Sequence, residues 1–372
     1  MIKYLGSKRL LIPLILQVVR SFPHVRTVID LFSGTSRVGH ALKAVGYRVF
    51  ANDYTAYAHA LATCYVQADR EDVETRATDL IREMRRLPPK AGYFTQTYCE
   101  KSRFFHPKNG ARIDAMREWI AGQDLGAELE AVLLVSLMEA ADRVDSTTGV
   151  QMAYLKDWAP RAHNAIHPRV PVLLPRSKWG KGAAYRMDAR DAIDMLSADV
   201  TYIDPPYNQH SFLSNYHIWE SLVLWDKPGV YGVACKRVDC KTRKSVFNSR
   251  YKSNKSVKEI INKCNSDIII VSFSDEGYVS REWMEEVLRK RGEVITIRVG
   301  YNRYVGARIG IYNPEGVKVG RISHLRNHEY IYVVCPPELR GCVQTLRDSH
   351  REQEVLFPVT RNETECGAGA SV

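Results

Sequence analysis

Asp204-Pro205-Pro206-Tyr207 is the run of residues whose types and spacing most directly specify chemistry in this chain. Two consecutive prolines stiffen the backbone and remove two N–H donors, which leaves carbonyl oxygens free to accept. An acid, a fixed carbonyl and an aromatic face in four residues suit the holding of a planar, amino-bearing base. The exocyclic amine of adenine is a poor nucleophile because its lone pair is delocalised into the ring. Hydrogen bonds from that amine to Asp204 and to the Pro205 carbonyl would draw the nitrogen toward tetrahedral geometry and localise the pair, with Tyr207 stacked on the ring. A base in a duplex has to leave the stack to reach such a pocket. An amine that has attacked is a cation that sheds its proton readily, so no strong base is required and His217, further along, need not act as one.

Such a tetrapeptide needs a strand to carry it, and Ala198 to Ile203 is an apolar strand running straight into it. A parallel sheet places its chemistry at the carboxyl ends of its strands. The N-terminal region supplies the rest of that pattern. Leu10 to Val19 reads as a helix, Val28 to Phe32 as a short buried strand, Ser33 to Ser36 as a turn, Val38 to Val45 as a helix, and Tyr47 to Ala51 as a second strand with Asp53 at its tip. Strand, glycine turn, helix, and strand with a terminal acid is the arrangement that binds adenosine-type ligands. The turn's N–H groups at the following helix N-terminus favour a carboxylate. Ile268 to Phe273 is a further strand, and Val294 to Val299 with Tyr330 to Val334 form an antiparallel pair that closes the sheet. Between about Asp69 and Lys178 helical periodicity takes over, at Val73 to Leu87, Ile113 to Ile120 and Leu125 to Val144.

In these motifs and their order, the chain resembles the alpha class of N6-adenine DNA methyltransferases, the DNA adenine methylase family. Tyr4-Leu5-Gly6-Ser7-Lys8 is similar to that family's N-terminal motif, Asp30-Leu31-Phe32-Ser33-Gly34-Thr35 to its glycine-rich donor loop, and Asp204 to Tyr207 to its catalytic tetrapeptide. The resemblance implies S-adenosylmethionine as methyl donor, with Tyr4, Lys8, Asp30, Phe32, Ser33, Gly34, Thr35, Asp53, Asp188 and Asp204 lining its site. In that reading Asp30 accepts from the α-amino group, Asp53 takes the ribose hydroxyls, Asp188 reaches the adenine ring, and Lys8 neutralises a carboxylate or orients nearby acids. Three of these have an ordinary alternative: Lys8 a surface lysine, Asp53 and Asp188 helix caps. The family's loop commonly ends in a second glycine, where this chain has Ser36; a serine fits there at negative φ. The implied fold is a Rossmann-like α/β methyltransferase sheet, mostly parallel with an antiparallel closing strand. It is split into 1–68 and 180–358 by a helical insertion at 69–179 that is a candidate target-recognition region. Residues 359–372 read as a frayed tail.

The implied reaction is direct in-line methyl transfer to the N6 amine of a flipped adenine in double-stranded DNA, in a restriction-modification system with a companion endonuclease. Related chemistry at N4 of cytosine or N6 of an RNA adenine uses the same amine-holding logic, and a catalytically silent recognition subunit would keep the fold. Neither the recognition sequence nor the oligomeric state follows from these motifs.

Composition agrees with a polyanionic partner. The 372 residues carry 53 Lys+Arg against 42 Asp+Glu, a formal net charge of +11, which favours nucleic acid. The densest basic run lies within 235–260: Lys236, Arg237, Lys241, Arg243, Lys244, Arg250 and Lys252, then Lys255 and Lys258, with Phe247 and Tyr251 interleaved. Lysines and arginines so spaced around aromatics suit phosphate contact and base stacking. A second basic stretch joins Arg303, Arg308, Lys318, Arg321 and Arg326 to Tyr301 and Tyr304. No apolar run is long enough to span a membrane. The eight cysteines are too scattered for a disulfide scaffold and lack paired zinc-site spacing, so the chain reads as reduced, cytoplasmic and metal-free.

Overall fold

Alternation along the strands decides the architecture. In β7 (Ile268–Ser274), Ile268 and Ile270 enter one apolar cluster while Ile269, Val271 and Phe273 enter another. Side chains of period two on a strand buried throughout require cover on both faces. One face is covered by α1 (Ile12–Arg20) and α2 (Arg37–Ala44), the other by α8 (Ala189–Met195), α11 (Ser253–Lys263) and α12 (Arg281–Leu288). A computed structural model describes residues 1–302 and 326–344. The side chains of the second basic stretch, Tyr301 to Arg326, and the tail 359–372 lie outside the described residues.

The sheet has seven strands. With β1 (Thr27–Asp30), β2 (Arg48–Asn52), β3 (Ala183–Tyr185), β4 (Val200–Ile203), β8 (Glu293–Asn302) and β9 (Arg326–Cys335), the order is β3-β2-β1-β4-β7-β9-β8. The first five are mutually parallel, and β9 runs antiparallel between β7 and β8. The mostly parallel sheet and its antiparallel closing pair are therefore as the sequence predicts. The chain leaves β1 in one direction for β2 and returns on the other side at β4. The switch point is between β1 and β4, where the two strand tips leave a crevice.

The helical stretch contains α4 (Arg70–Arg86), the short α5 (Tyr93–Thr95), α6 (Pro107–Ala121) and α7 (Ala127–Asp142). In α4 the buried Val73, Ala77, Leu80, Ile81 and Met84 make one stripe, with Glu71 and Asp72 in the first turn and Arg85 and Arg86 in the last, each favourable to the helix dipole. α7 is buried on nearly every side from Ala131 to Ala141 and forms the centre of this layer. Its core is continuous with α3 (Ala56–Ala62) and α10 (His217–Leu224), so the insertion shares one apolar cluster with elements that support the strand tips. The short α9 (Phe212–Asn215) precedes α10, and a hairpin of β5 (Val230–Tyr231) and β6 (Lys236–Arg237) comes after it. Among the described residues no helix is long and apolar enough to cross a membrane.

Candidate active site

The glycine turn leaves β1 at Asp30 and enters α2. Gly34 has φ +50, and a Cβ there would meet the Tyr4 ring at 3.5 Å. Ser36 has φ +58 and ψ 22, the left-handed conformation. This corrects the expectation of a negative φ. The Ser36 N–H donates to the Ser33 carbonyl at 2.6 Å while the Ser36 carbonyl accepts from the His40 N–H at 2.8 Å, and closing the turn onto the helix in this way fixes the backbone where glycine is preferred. Ser36 is fully buried and its hydroxyl has no protein partner. Ser36→Gly is therefore expected to stabilise the protein by about 1 kcal/mol, from relief of left-handed strain and of an unsatisfied hydroxyl. Chemical denaturation checks this, and a loss of stability would count against the turn geometry.

Asp30 is buried, and its Oδ2 accepts from the Gly39 N–H at 3.0 Å. Burial pushes its carboxyl up to about 7, opposed by the Gly39 N–H and assisted by Asp204 and Asp53. Asp53 sits at the tip of β2. Its Oδ2 accepts from the Gly34 N–H at 3.0 Å, and its Oδ1 accepts from the Thr55 N–H and hydroxyl, each at 3.0 Å. Asp53 thus ties the two strand tips together, and the residue at the α3 N-cap is Thr55. Asp188 is the N-cap of α8, accepting from the Arg190 N–H at 2.9 Å. The Arg190 guanidinium bonded to it holds its carboxyl below the usual range.

Asp204 leaves β4 with its Oδ1 3.0 Å from the Lys8 Nζ. Lys8 is itself buried and also donates to Glu329 on β9, whose Oε1 accepts from the Ser272 hydroxyl at 2.8 Å. Burial pushes the Asp204 carboxyl up to about 6; Lys8 pulls it down and Glu329 pushes it up. Tyr207 packs its ring edge-on against Phe273 at 5.8 Å, and its carbonyl accepts from the Tyr278 N–H at 2.9 Å. The Asn248 side chain donates to the Asn208 and His210 carbonyls at 2.7 and 3.1 Å. The loop that follows β4 is thereby braced from two directions. Ser274 to Gly277 lie in sequence between Phe273 and Tyr278 and are absent from the lining of the cavity around Asp204.

The N-terminal motif reaches the same place by stacking. The Tyr4 ring lies between Phe212, at 5.1 Å, and Tyr216, at 4.5 Å and 15°. The Leu5 N–H donates to the Tyr216 hydroxyl at 2.5 Å. His217 is fully buried, bonded to the Gln151 carbonyl at 2.9 Å, and burial drives its imidazole down to about 3. It is bonded into the helical insertion and is not among the residues lining the cavity around Asp204.

One cavity contains all of Tyr4, Lys8, Asp30, Phe32, Ser33, Gly34, Thr35, Asp53 and Asp188 on its walls, together with Asp204, Pro205, Pro206 and Tyr207. It holds about 1380 Å³ of non-protein space, the solvent at its mouth included. No residue of 69–179 contributes to its described lining. Tyr54, Thr55, Phe212 and Arg243 also line it and escaped sequence reasoning as parts of the base or donor site. Tyr54 had a legible signal: it comes directly after the acid at a strand tip, and it is an exposed aromatic. Glu329 had none, because only the sheet order brings β9 to Lys8.

The basic segment divides in two. Lys241, Lys244, Arg250 and Lys252 are exposed, as are Lys255 and Lys258, and Tyr251 is 94% exposed. Arg237 is buried, clasped by Asp226 at 2.7 Å through both amino groups and by Asp239 at 3.0 Å, which corrects its expected place on a phosphate-facing surface. Arg243 faces the cavity, paired with Glu220 at 2.9 Å and Asp239 at 3.1 Å. Lys236 is half-buried on β6. Phe247 is a core residue set edge-on to Phe32 at 5.1 Å. The acids that neutralise the two arginines come from α10, the loop after it and the basic run itself.

Comparison with known proteins agrees with this geometry. The family model described as D12 class N6 adenine-specific DNA methyltransferase matches residues 4–286. The chain is 29% identical over 287 residues to the type II methyltransferase M.NlaIII of Neisseria lactamica, covering 74% of this chain and 83% of that one. It is 28% identical over 321 residues to the modification methylase StsI of Streptococcus sanguinis, and 30% over 326 residues to the type II methyltransferase M.FokI of Planomicrobium okeanokoites. Those matches cover 81% and 80% of this chain and 48% of each relative, so the chain spans about half the length of these two curated relatives.

Proposed function

From the premise that the chain belongs to the D12 class of N6 adenine-specific DNA methyltransferases, we propose that it transfers a methyl group from S-adenosylmethionine to the N6 amine of adenine in double-stranded DNA. The observation that carries the reading is the single cavity in which the glycine turn and the Asp204 tetrapeptide share one wall. The donor set fits S-adenosylmethionine. Asp30 is a buried acid whose raised pKa a cationic amino group would reverse. The buried Ser33 and Ser7 hydroxyls have no protein partners, and both residues line the cavity. Asp53 and the exposed ring of Tyr54 stand at the β2 tip, suited to a ribose and a flat base. When bound, that cofactor supplies an electrophilic methyl on a sulfonium.

The protein's own part is to prepare the nucleophile. Asp204, fixed by Lys8, accepts an N–H of the amine, and the proline pair holds the neighbouring carbonyl in place. Tyr207, braced by Phe273 and Tyr278, offers a face to the base. Exclusion of water strengthens these hydrogen bonds, because they act in a low-dielectric cleft. No group is needed to take the proton before transfer. The helical insertion, none of which lines the cavity, is the target-recognition region in this reading, and a companion restriction endonuclease in the cytoplasm completes it; two relatives carry the name of modification methylase or type II methyltransferase.

Transfer of tritiated methyl from the donor into unmethylated genomic DNA, followed by nucleoside analysis, tests the reading. Label in N6-methyladenine is expected, whereas label in N4-methylcytosine or in RNA alone overturns it. Lys241 and Lys244 are exposed cations close to the cavity, and Lys244 lines its mouth. Charge reversal of both is expected to weaken DNA binding about tenfold or more at low salt and to flatten the salt slope by roughly two. An unchanged slope in a titration from low to high salt would remove them from the interface.

A further inference from the structure

We propose that Glu329 is a positioning residue for methyl transfer, sharing the Lys8 ammonium with Asp204 so that the Asp204 carboxylate is fixed yet keeps acceptor capacity for the target amine. The inference rests on the function proposed above. Lys8 Nζ donates to Glu329 Oε1 and lies 3.0 Å from Asp204 Oδ1, and the Ser272 hydroxyl donates to the same Glu329 oxygen at 2.8 Å. Glu329 is 4% exposed. Its backbone is paired with Ser274 on β7 and Val299 on β8, so its position is set by the sheet on both sides.

Stability alone does not account for an acid here. One ammonium already neutralises Asp204, and a second buried carboxylate leaves the cluster with an excess negative charge, which burial penalises. A neutral residue would fill the space at lower cost. What the acid does accomplish is geometric. It takes a share of the Lys8 ammonium, which contacts both carboxylates, so Asp204 keeps acceptor capacity for a substrate N–H. The groups facing Asp204 are Lys8 from the N-terminal motif, Glu329 from β9, Asp30 from β1 and Tyr202 from its own strand. Of these four, Glu329 alone stands outside the described lining of the cavity.

Glu329→Gln removes the charge and keeps the shape. Lys8 then belongs to Asp204 alone, which makes that carboxylate more acidic and a weaker acceptor. The expected result is a fall in kcat of about tenfold, with the KM for DNA and the Kd for S-adenosylhomocysteine within about threefold. The acid limb of kcat against pH shifts downward by about half a unit or more. A merely structural residue would lower the thermal midpoint and the rate together with the limb unmoved, and that outcome overturns the proposal. If the Gln variant does not fold, Glu329→Asp keeps the charge; its limb is expected at the wild-type position with a reduced kcat, and a displaced limb overturns the proposal. Wild-type enzyme that places no methyl on adenine N6 would overturn the functional reading instead, so the two failures are distinguishable.

Discussion

Asp204→Ala is expected to lower methyl transfer by about a thousandfold or more while leaving the fold intact. The size comes from what the residue supplies. A preorganised hydrogen-bonding group in a water-excluded site is worth roughly 10²–10³ in rate, and in the proposed reaction the same group also draws the nitrogen lone pair out of the ring. Its removal takes away both the partner and the rehybridisation. The tolerance of the fold rests on Lys8, which retains Glu329 as a counter-ion when Asp204 is truncated. No buried charge is left unpaired, so the usual penalty for breaking a buried ion pair is not incurred. The variant is expected to unfold within about 1 kcal/mol of wild type and to bind S-adenosylhomocysteine within a few-fold. Single-turnover transfer, denaturation and calorimetric binding measure the three. A variant with substantial activity would remove Asp204 from the reaction, and one that fails to fold would show that Lys8 depends on Asp204 rather than on Glu329.

The readings that survive contact with the structure are those carried by local order in the sequence. Val28 to Phe32, the glycine turn and the acid at Asp53 are close along the chain, and the β1-α2-β2 unit they predict brings Gly34 and Asp53 into hydrogen bond. Asp204 was legible because a buried strand before it and two prolines after it leave the chain little freedom at that point. Charge runs were less legible. Arg237 and Arg243 look like their neighbours in the sequence, yet Asp226, Asp239 and Glu220 claim them once α10 and the β5-β6 hairpin fold together. Helix α11 was hidden within the same run, its Val257, Ile260 and Ile261 stripe masked by the lysines between. Ser36 departs from the expected negative φ because side-chain type carries only a preference for φ, while turn closure imposes it. Glu329 was invisible for a simpler reason: its partner lies 321 residues away, and sheet order alone brings them together.

That distant pairing makes Lys8 the residue on which stability and acidity meet. Lys8→Met is expected to destabilise the protein by about 3–5 kcal/mol at pH 8, because it leaves Asp204 and Glu329 buried together without their shared cation. The loss has a definite pH dependence. Two carboxylates in one site cannot both ionise cheaply, so one of them takes a folded-state pKa well above its unfolded value of about 4. A raised folded pKa contributes stability that is fully present below the unfolded value and is lost as pH rises through the folded one. The variant should therefore approach wild type at pH 5 and fall furthest behind at pH 8. Wild type also gains on acidification, since Asp204 at about 6 and Asp30 at about 7 are raised by burial. The quantity to track is accordingly the difference between the two proteins, from denaturation at both pH values. An equal difference at pH 5 and pH 8 would mean that packing of the lysine stem, rather than its charge, holds the site together. The double variant Lys8→Met with Glu329→Gln separates these further: it leaves Asp204 as the single acid of the former cluster, and recovery of most of the loss at pH 8 would measure the repulsion that Lys8 normally neutralises.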